Sequence, residues 1–310
     1  MMLLDIIFIV LGVVMVLGGA DRLTEGASAL ARRMNVPEII IGLTIVAAGT
    51  SAPELFVSMV SALKGTPDLA VGNVVGSNTM NAMLIVGCAA MVAPMTISRS
   101  TVKKDIPCSV FAALLLTLLC VDSFLGLWDG IVLLVGFIAF MTYTLLQAKK
   151  GKAEDVAAVK QLNPWLSTLY VIAGLALLVV GSNLFVDSAS NVAYALGVSE
   201  GVVGLTIVAG GTSLPELATS VVAARKGQSA IAIGNVIGSN VFNILLILGL
   251  TATISPMQIE GITTLDMSVM LLSVALVWLF SYTRFTVERW EGALLVGGYV
   301  VYLVWLLTHL

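Results

Sequence analysis

Gly42-Leu43-Thr44-Ile45-Val46-Ala47-Ala48-Gly49-Thr50-Ser51-Ala52-Pro53-Glu54 returns 162 residues later as Gly204-Leu205-Thr206-Ile207-Val208-Ala209-Gly210-Gly211-Thr212-Ser213-Leu214-Pro215-Glu216. The same offset carries Gly72-Asn73-Val74-Val75-Gly76-Ser77-Asn78 onto Gly234-Asn235-Val236-Ile237-Gly238-Ser239-Asn240, and Asn81 onto Asn243. Between 42 and 87, 28 of 46 positions are identical without a gap. Each copy holds a carboxylate, hydroxyls, amides, glycines and a proline inside otherwise apolar sequence.

The chain has 310 residues, 59% hydrophobic and 11% charged, with a mean hydropathy of +1.06. Soluble domains carry about a quarter charged residues, so this composition implies a polytopic helical membrane protein. A membrane helix needs about 20 apolar residues. Ten such stretches lie near 3–20, 38–62, 69–92, 106–121, 127–147, 165–182, 199–223, 231–254, 267–281 and 291–308. Met1 to Ala20 has no basic leader and no cleavage site, and reads as the first span. Cys88, Cys108 and Cys120 lie in apolar stretches without metal or redox spacing and read as buried free thiols.

The doubling extends beyond the signature. Gly12 maps to Gly174, Gly19 to Gly181, Glu38 to Glu200, Pro94-Met95 to Pro256-Met257, and Trp128 and Gly130 to Trp290 and Gly292. The expected fold is all-α, with ten transmembrane helices as two five-helix repeats, 1–148 and 163–310, joined by a linker at 149–162. An odd number of spans per repeat makes the second copy enter from the opposite side, so the repeats are inverted. Charge supports this topology. Loops 1–2, 3–4, 5–6, 7–8 and 9–10 hold 14 of the 15 basic residues, and only Lys64 falls opposite. By the positive-inside rule those loops are cytoplasmic and both termini are outside, in a multi-pass protein of the cell (plasma) membrane. The run Lys149-Lys150-Gly151-Lys152 is then topological charge and not a nucleic-acid patch.

Polar groups at membrane depth are costly and usually functional, and matched Gly/Pro-interrupted segments in two halves point to a transport site. Thr50 and Glu54 are four residues apart, on one helix face, as are Thr212 and Glu216, Ser77 and Asn81, and Ser239 and Asn243. Pro53 lacks an N–H and crowds the carbonyl of Gly49, and Pro215 does the same to Gly211. Freed carbonyls at this depth are tolerated where they line a cavity. The resulting donors are hard oxygens, suited to calcium or sodium and unlike the nitrogen and sulfur that zinc and copper prefer. A divalent ion between two glutamates cancels both charges, and several monovalent ions on flanking hydroxyls and carbonyls do the same. Competition for the same carboxylates is a physical basis for exchange.

The doubled Gly-Thr-Ser-x-Pro-Glu, each copy followed by Gly-Asn-x-x-Gly-Ser-Asn-x-x-Asn, resembles the alpha repeats of the calcium/cation antiporter superfamily, and within it the prokaryotic sodium/calcium exchangers. The resemblance covers the whole chain. It implies calcium binding by Glu54 and Glu216 with the backbone carbonyls of Thr50 and Thr212. It implies sodium sites from Ala47, Thr50, Ser51 and Ser239 on one side and Ala209, Thr212, Ser213 and Ser77 on the other, sharing Glu54 and Glu216. Asn81 and Asn243 complete the centre; potassium-dependent relatives carry an aspartate at the position of Asn243. The resemblance also makes spans 1 and 6 the moving pair. The expected activity is sodium/calcium antiport by alternating access, with calcium and sodium as cargo and the bilayer as surroundings. No cofactor, nucleic acid or obligatory protein partner is expected. The rivals are a calcium/proton antiporter, which typically carries Gly-Asn-x-x-Glu in place of Gly-Thr-Ser-x-Pro-Glu, and a cation channel. No nucleophile–base pair, metal triad or nucleotide loop suggests an enzyme.

The remaining polar residues have plainer readings. Asn73, Asn78, Asn235 and Asn240 are expected to be structural or loop-capping, and Gly76 and Gly238 to allow close helix approach. Glu25, Asp68, Asp129, Asp187 and Glu291 lie near span ends and are expected to be solvated, and His309 has no assigned role.

Overall fold

A computed structural model describes residues 2–150, 163–197, 207 and 209–308. Its long helices are α1 (Met2–Arg33), the bent pair α2 (Glu38–Thr50) and α3 (Ala52–Leu63), α4 (Pro67–Val92), α5 (Ile106–Leu119), α6 (Leu127–Ala148) and α7 (Pro164–Ala195). The short α8 (Ala209–Thr212) leads into α9 (Leu214–Arg225), followed by α10 (Ser229–Ile254), α11 (Thr264–Tyr282) and α12 (Arg289–Thr308).

Among the described residues, seven helices are long and apolar enough to cross a membrane, or eight if the bent pair counts as one span. Two of the ten expected spans differ. The stretch at 106–121 forms a helix of 14 residues, lengthened at its start by the π-helical turn Thr101–Asp105. The stretch at 199–223 falls partly outside the described residues, as do His309 and most of the 149–162 linker. At the other extreme, α1 and α7 each run 32 residues, well past the apolar stretches at 3–20 and 165–182. Arg22 is therefore helical, stacked 5.2 Å from the Tyr170 ring, and not in a loop.

Glycine explains how α1 and α7 meet. A Cβ at Gly12 would lie 2.7 Å from the Gly181 carbonyl oxygen, and one at Gly19 would lie 2.8 Å from that of Gly174. Gly174 and Gly181 face Gly19 and Gly12 in return, so two backbones touch where side chains would hold them apart. The contacts pair the start of one helix with the end of the other, so the two run antiparallel. Gly238 likewise meets Ala47 and Leu43, as expected; Gly76 faces open space and packs against nothing.

Among the described residues, four two-residue strands also depart from an all-helical fold: β1 (Met95–Thr96), β2 (Phe124–Leu125), β3 (Met257–Gln258) and β4 (Thr286–Val287). β1 pairs with β4, Met95 opposite Val287, and β2 pairs with β3, Leu125 opposite Met257. Adding 162 to Met95 and to Leu125 gives Met257 and Val287, so each pairing is the image of the other.

Glu291, expected to be solvated, is buried instead, and other acidic residues at helix ends bond to the backbone as well. Asp129 Oδ2 accepts from Gly126 N at 2.8 Å, and its counterpart Glu291 Oε2 accepts from Glu288 N at 2.7 Å. Each satisfies an orphan donor at a helix start. Asp68 Oδ1 accepts from the backbone N–H groups of Glu260 and Gly261, tying the start of α4 to the segment after β3. The three cysteines are free thiols, half-buried.

Candidate functional site

Each signature breaks its helix at its serine. Ser51 has φ −83° and ψ 8°, and Ser213 has φ −91° and ψ 6°. This bridge conformation is sparsely populated and recurs at active sites. Across Ser51 the helix axis turns by 46°. Pro53 and Pro215 then sit in the first turn of α3 and α9, where a missing N–H costs nothing. Glu54 and Glu216 fall in the same first turns, where the helix macrodipole favours a negative charge by about 1 kcal/mol. The break changes one expectation: Thr50 and Glu54 belong to different helices. The Thr50 hydroxyl turns to Asn235 Oδ1 at 3.0 Å, with Ala47 O at 3.4 Å.

The two signatures meet face to face, and both glutamates are fully buried. Ser51 Oγ donates to Glu216 Oε1 at 3.0 Å, and Ser213 Oγ donates to Glu54 Oε1 at 3.0 Å. Each carboxylate is thus held by the serine of the opposite copy. Ser239 Oγ reaches Glu216 Oε1 at 3.3 Å, and Ser77 Oγ lies 3.1 Å from Ser213 Oγ. The other oxygen of each carboxylate, Oε2, is buried without a hydrogen-bond partner among the described residues. Unsatisfied buried acceptors are costly, and a matched pair of them is what a desolvated cation needs.

Behind this layer is a brace that sequence reasoning undervalued. Asn73 Nδ2 donates to the Glu54 backbone carbonyl at 3.2 Å and to Ser58 Oγ at 2.9 Å, and Ser58 Oγ donates to Ala70 O. Asn235 Nδ2 does the same to Glu216 O at 3.3 Å and Ser220 Oγ at 3.0 Å, with Ser220 Oγ donating to Ala232 O. These amides are structural, as expected, but they brace helices and do not cap loops. They fix the carbonyls of the glutamates, and Asn235 also accepts from Thr50. Their only signal in the sequence is that Asn73, Ser58 and Ala70 share the 162 offset with Asn235, Ser220 and Ala232.

The central amides are fully buried. Asn81 opens the π-helical segment Asn81–Ile85, and Asn243 lies in the π-helical segment Phe242–Leu248. Such widened turns concentrate at functional sites. Asn81 Nδ2 donates to Asn240 Oδ1 at 3.1 Å. Ala47 is buried beside the break and its carbonyl accepts from Ser51 N at 3.0 Å. Thr212 is half-buried at the end of α8, and Ala209 begins that helix. Among the described residues no three His, Cys, Asp or Glu side chains converge. The site is two carboxylates amid neutral oxygens, as hard cations require.

A family model described as sodium/calcium exchanger protein matches residues 4–146 and 166–308. The inner membrane protein YrbG of Escherichia coli is 37% identical over 316 residues, covering 98% of this chain and 97% of that protein. The sodium/calcium exchanger MaX1 of Methanosarcina acetivorans is 32% identical over 345 residues, covering 98% and 99%. A solved structure of the sodium-calcium exchanger NCX_Mj, soaked with zero Na+ and Ca2+, superposes with a TM-score of 0.87 at 31% identity, covering 99% of this chain and all of that one.

Proposed function

The chain belongs to the sodium/calcium exchanger protein family, and from that premise we propose that it exchanges calcium for sodium across a membrane at the Glu54–Glu216 site. The observation that carries this reading is the pair of buried carboxylates, each held through Oε1 by the other copy's serine and each with Oε2 unpartnered among the described residues. One calcium ion between the two carboxylates cancels their charges. Calcium ligands in this reading are Glu54, Glu216 and the carbonyls of Thr50 and Thr212. Sodium ions use the same carboxylates with Ala47, Thr50, Ser51 and Ser239 on one side, and Ala209, Thr212, Ser213 and Ser77 on the other. Asn81 and Asn243 contribute neutral oxygens. To coordinate a cation, Ser51 and Ser213 turn their lone pairs toward it and release Oε1. Calcium and sodium then exclude one another, and the site passes from face to face only when filled.

Sodium-driven calcium uptake into proteoliposomes is the direct test. Uptake is expected with an outward sodium gradient and to continue unchanged when choline replaces potassium on both sides. With amides at Asn81 and Asn243, the centre holds two negative charges, and a potassium ion beside calcium leaves an excess positive charge in a desolvated site. Robust uptake driven by a pH gradient without sodium replaces this reading with a calcium/proton antiporter. Calcium flux that needs no counter-ion replaces it with a channel. A strict potassium requirement removes the role given to the neutral amides.

The accompanying architecture is ten spans in two inverted halves, 1–148 and 163–310, in the cell membrane, with both termini outside and the 149–162 linker cytoplasmic. The antiparallel α1 and α7 support it, as do the pairings of loop 3–4 with loop 9–10 and of loop 4–5 with loop 8–9. With Cys88, Cys108 and Cys120 replaced, Ala153→Cys is expected to resist an impermeant thiol reagent applied outside, and Thr308→Cys to react. The reverse pattern overturns the orientation.

A further inference from the structure

The 162 offset predicts a partner for every contact between the halves, and most contacts obey it. The strand pairings, the crossing of α1 with α7, and the bonds from Ser51 to Glu216 and from Ser213 to Glu54 occur as images of one another, as do the Asn73 and Asn235 braces within each half. The central amides do not. Asn81 donates to Asn240 at 3.1 Å, and the image of that bond is one from Asn243 to Asn78. Yet Asn78 and Asn243 are fully buried, and in both the amide nitrogen and oxygen have no hydrogen-bond partner among the described residues. Buried amides are nearly always paired; Asn81 Oδ1 and Asn240 Nδ2 are orphaned as well, but Asn243 Nδ2 and Asn78 Oδ1 lack the bond that their counterparts make, and that missing bond marks an arrangement that another state of the protein satisfies.

We propose that Asn78 and Asn240 are positioning residues that hold the central amides in turn. The Asn81–Asn240 bond made here is exchanged for an Asn243–Asn78 bond when the passage opens to the opposite face. The inference rests on the antiport reading. Two related halves that exchange conformations convert a site open to one side into a site open to the other. A hydrogen bond that one half makes in the first state is then made by the other half in the second. The bond uses only the amide nitrogen, so Asn81 Oδ1, like Asn243 Oδ1, has no hydrogen-bond partner among the described residues and is free to turn toward an ion. Neither Asn78 nor Asn240 needs to touch the ion.

The test is the sidedness of apparent calcium affinity. Half-maximal calcium is measured at each face of oriented proteoliposomes for Asn78→Leu and Asn240→Leu, which keep roughly the volume and delete the amide. Apparent affinity at a face scales with the fraction of molecules open to it. Asn240→Leu weakens the arrangement seen here and Asn78→Leu its image, so the ratio of the two half-maximal concentrations is expected to shift in opposite directions. The double variant returns it toward the parent value. A merely structural role lowers the rate at both faces together. If either leucine variant fails to fold, Asn78→Ala and Asn240→Ala carry the same comparison. Shifts in the same direction, or an unchanged ratio in folded variants of an active parent, overturn the exchange and leave antiport standing. A parent without sodium-driven calcium flux overturns both.

Discussion

Glu54→Gln and Glu216→Gln are each expected to lower calcium affinity by orders of magnitude and to remove sodium-driven calcium uptake. Both carboxylates are fully buried, so neither is screened by water. At 4 Å a unit charge pair is worth about 4 kcal/mol at an effective dielectric of 20, and every 1.4 kcal/mol is about a factor of ten. Glutamine keeps the volume and one oxygen, and Ser213 and Ser51 can still donate to it, so the fold should persist while the charge is lost. The measurement is calcium uptake in proteoliposomes, alongside calcium binding by calorimetry on the same purified variants. Near-parent transport by either folded variant removes the site. Milder losses are expected for Ser51→Ala and Ser213→Ala, since each deletes one hydrogen bond to a carboxylate, worth about 1.5–3 kcal/mol, and one ligand, with no change of charge.

The second large effect concerns packing. Gly19→Leu is expected to abolish the folded protein or its transport, whereas Gly18→Leu, one residue earlier, is expected to be tolerated. A Cβ at Gly19 would sit 2.8 Å from the Gly174 carbonyl oxygen and 2.9 Å from Leu178 N, and both are backbone atoms that cannot swing aside. Gly18 has nothing within 4 Å of the same position and is exposed on the outer face of α1. There leucine gains about 1 kcal/mol of helix propensity over glycine and suits an apolar surround. Overpacking a tight contact costs about 1–3 kcal/mol even where side chains can adjust, and here the helices themselves must separate. Detergent-solubilised yield, thermal melting and calcium uptake for the pair separate the cases. Equal behaviour of the two variants refutes the α1–α7 crossing.

Much of the molecule was legible before any coordinates. Apolar composition and the 162 offset point to a helical membrane protein made of two copies, because both are properties of the chain read in order. The same offset singles out Glu54, Glu216 and their hydroxyl neighbours, since polar groups stand out against apolar surroundings. What stayed hidden depends on directions in space. The π-helical turns at Asn81 and Phe242 leave no hydropathy signal, and the short strands arise where distant loops happen to run side by side. The break at Ser51 was legible from Pro53, but its consequence was not: Thr50 turns away from Glu54 and toward Asn235, 185 residues away in sequence.

The sequence by itself determined the doubling, the apolar spans, the chemistry of the donors and the need to offset two buried charges, for these follow from residue identity and spacing. Only the tertiary structure decided that the serine of one copy serves the glutamate of the other, with Ser51 on Glu216 and Ser213 on Glu54. It also decided which of two adjacent glycines is crowded, and that one central amide pair is closed while its image is open. The reason is symmetry. An offset between two identical motifs maps each residue onto its counterpart, but pairing within a copy and pairing across copies satisfy it equally. The choice between them is made by how the helices pack.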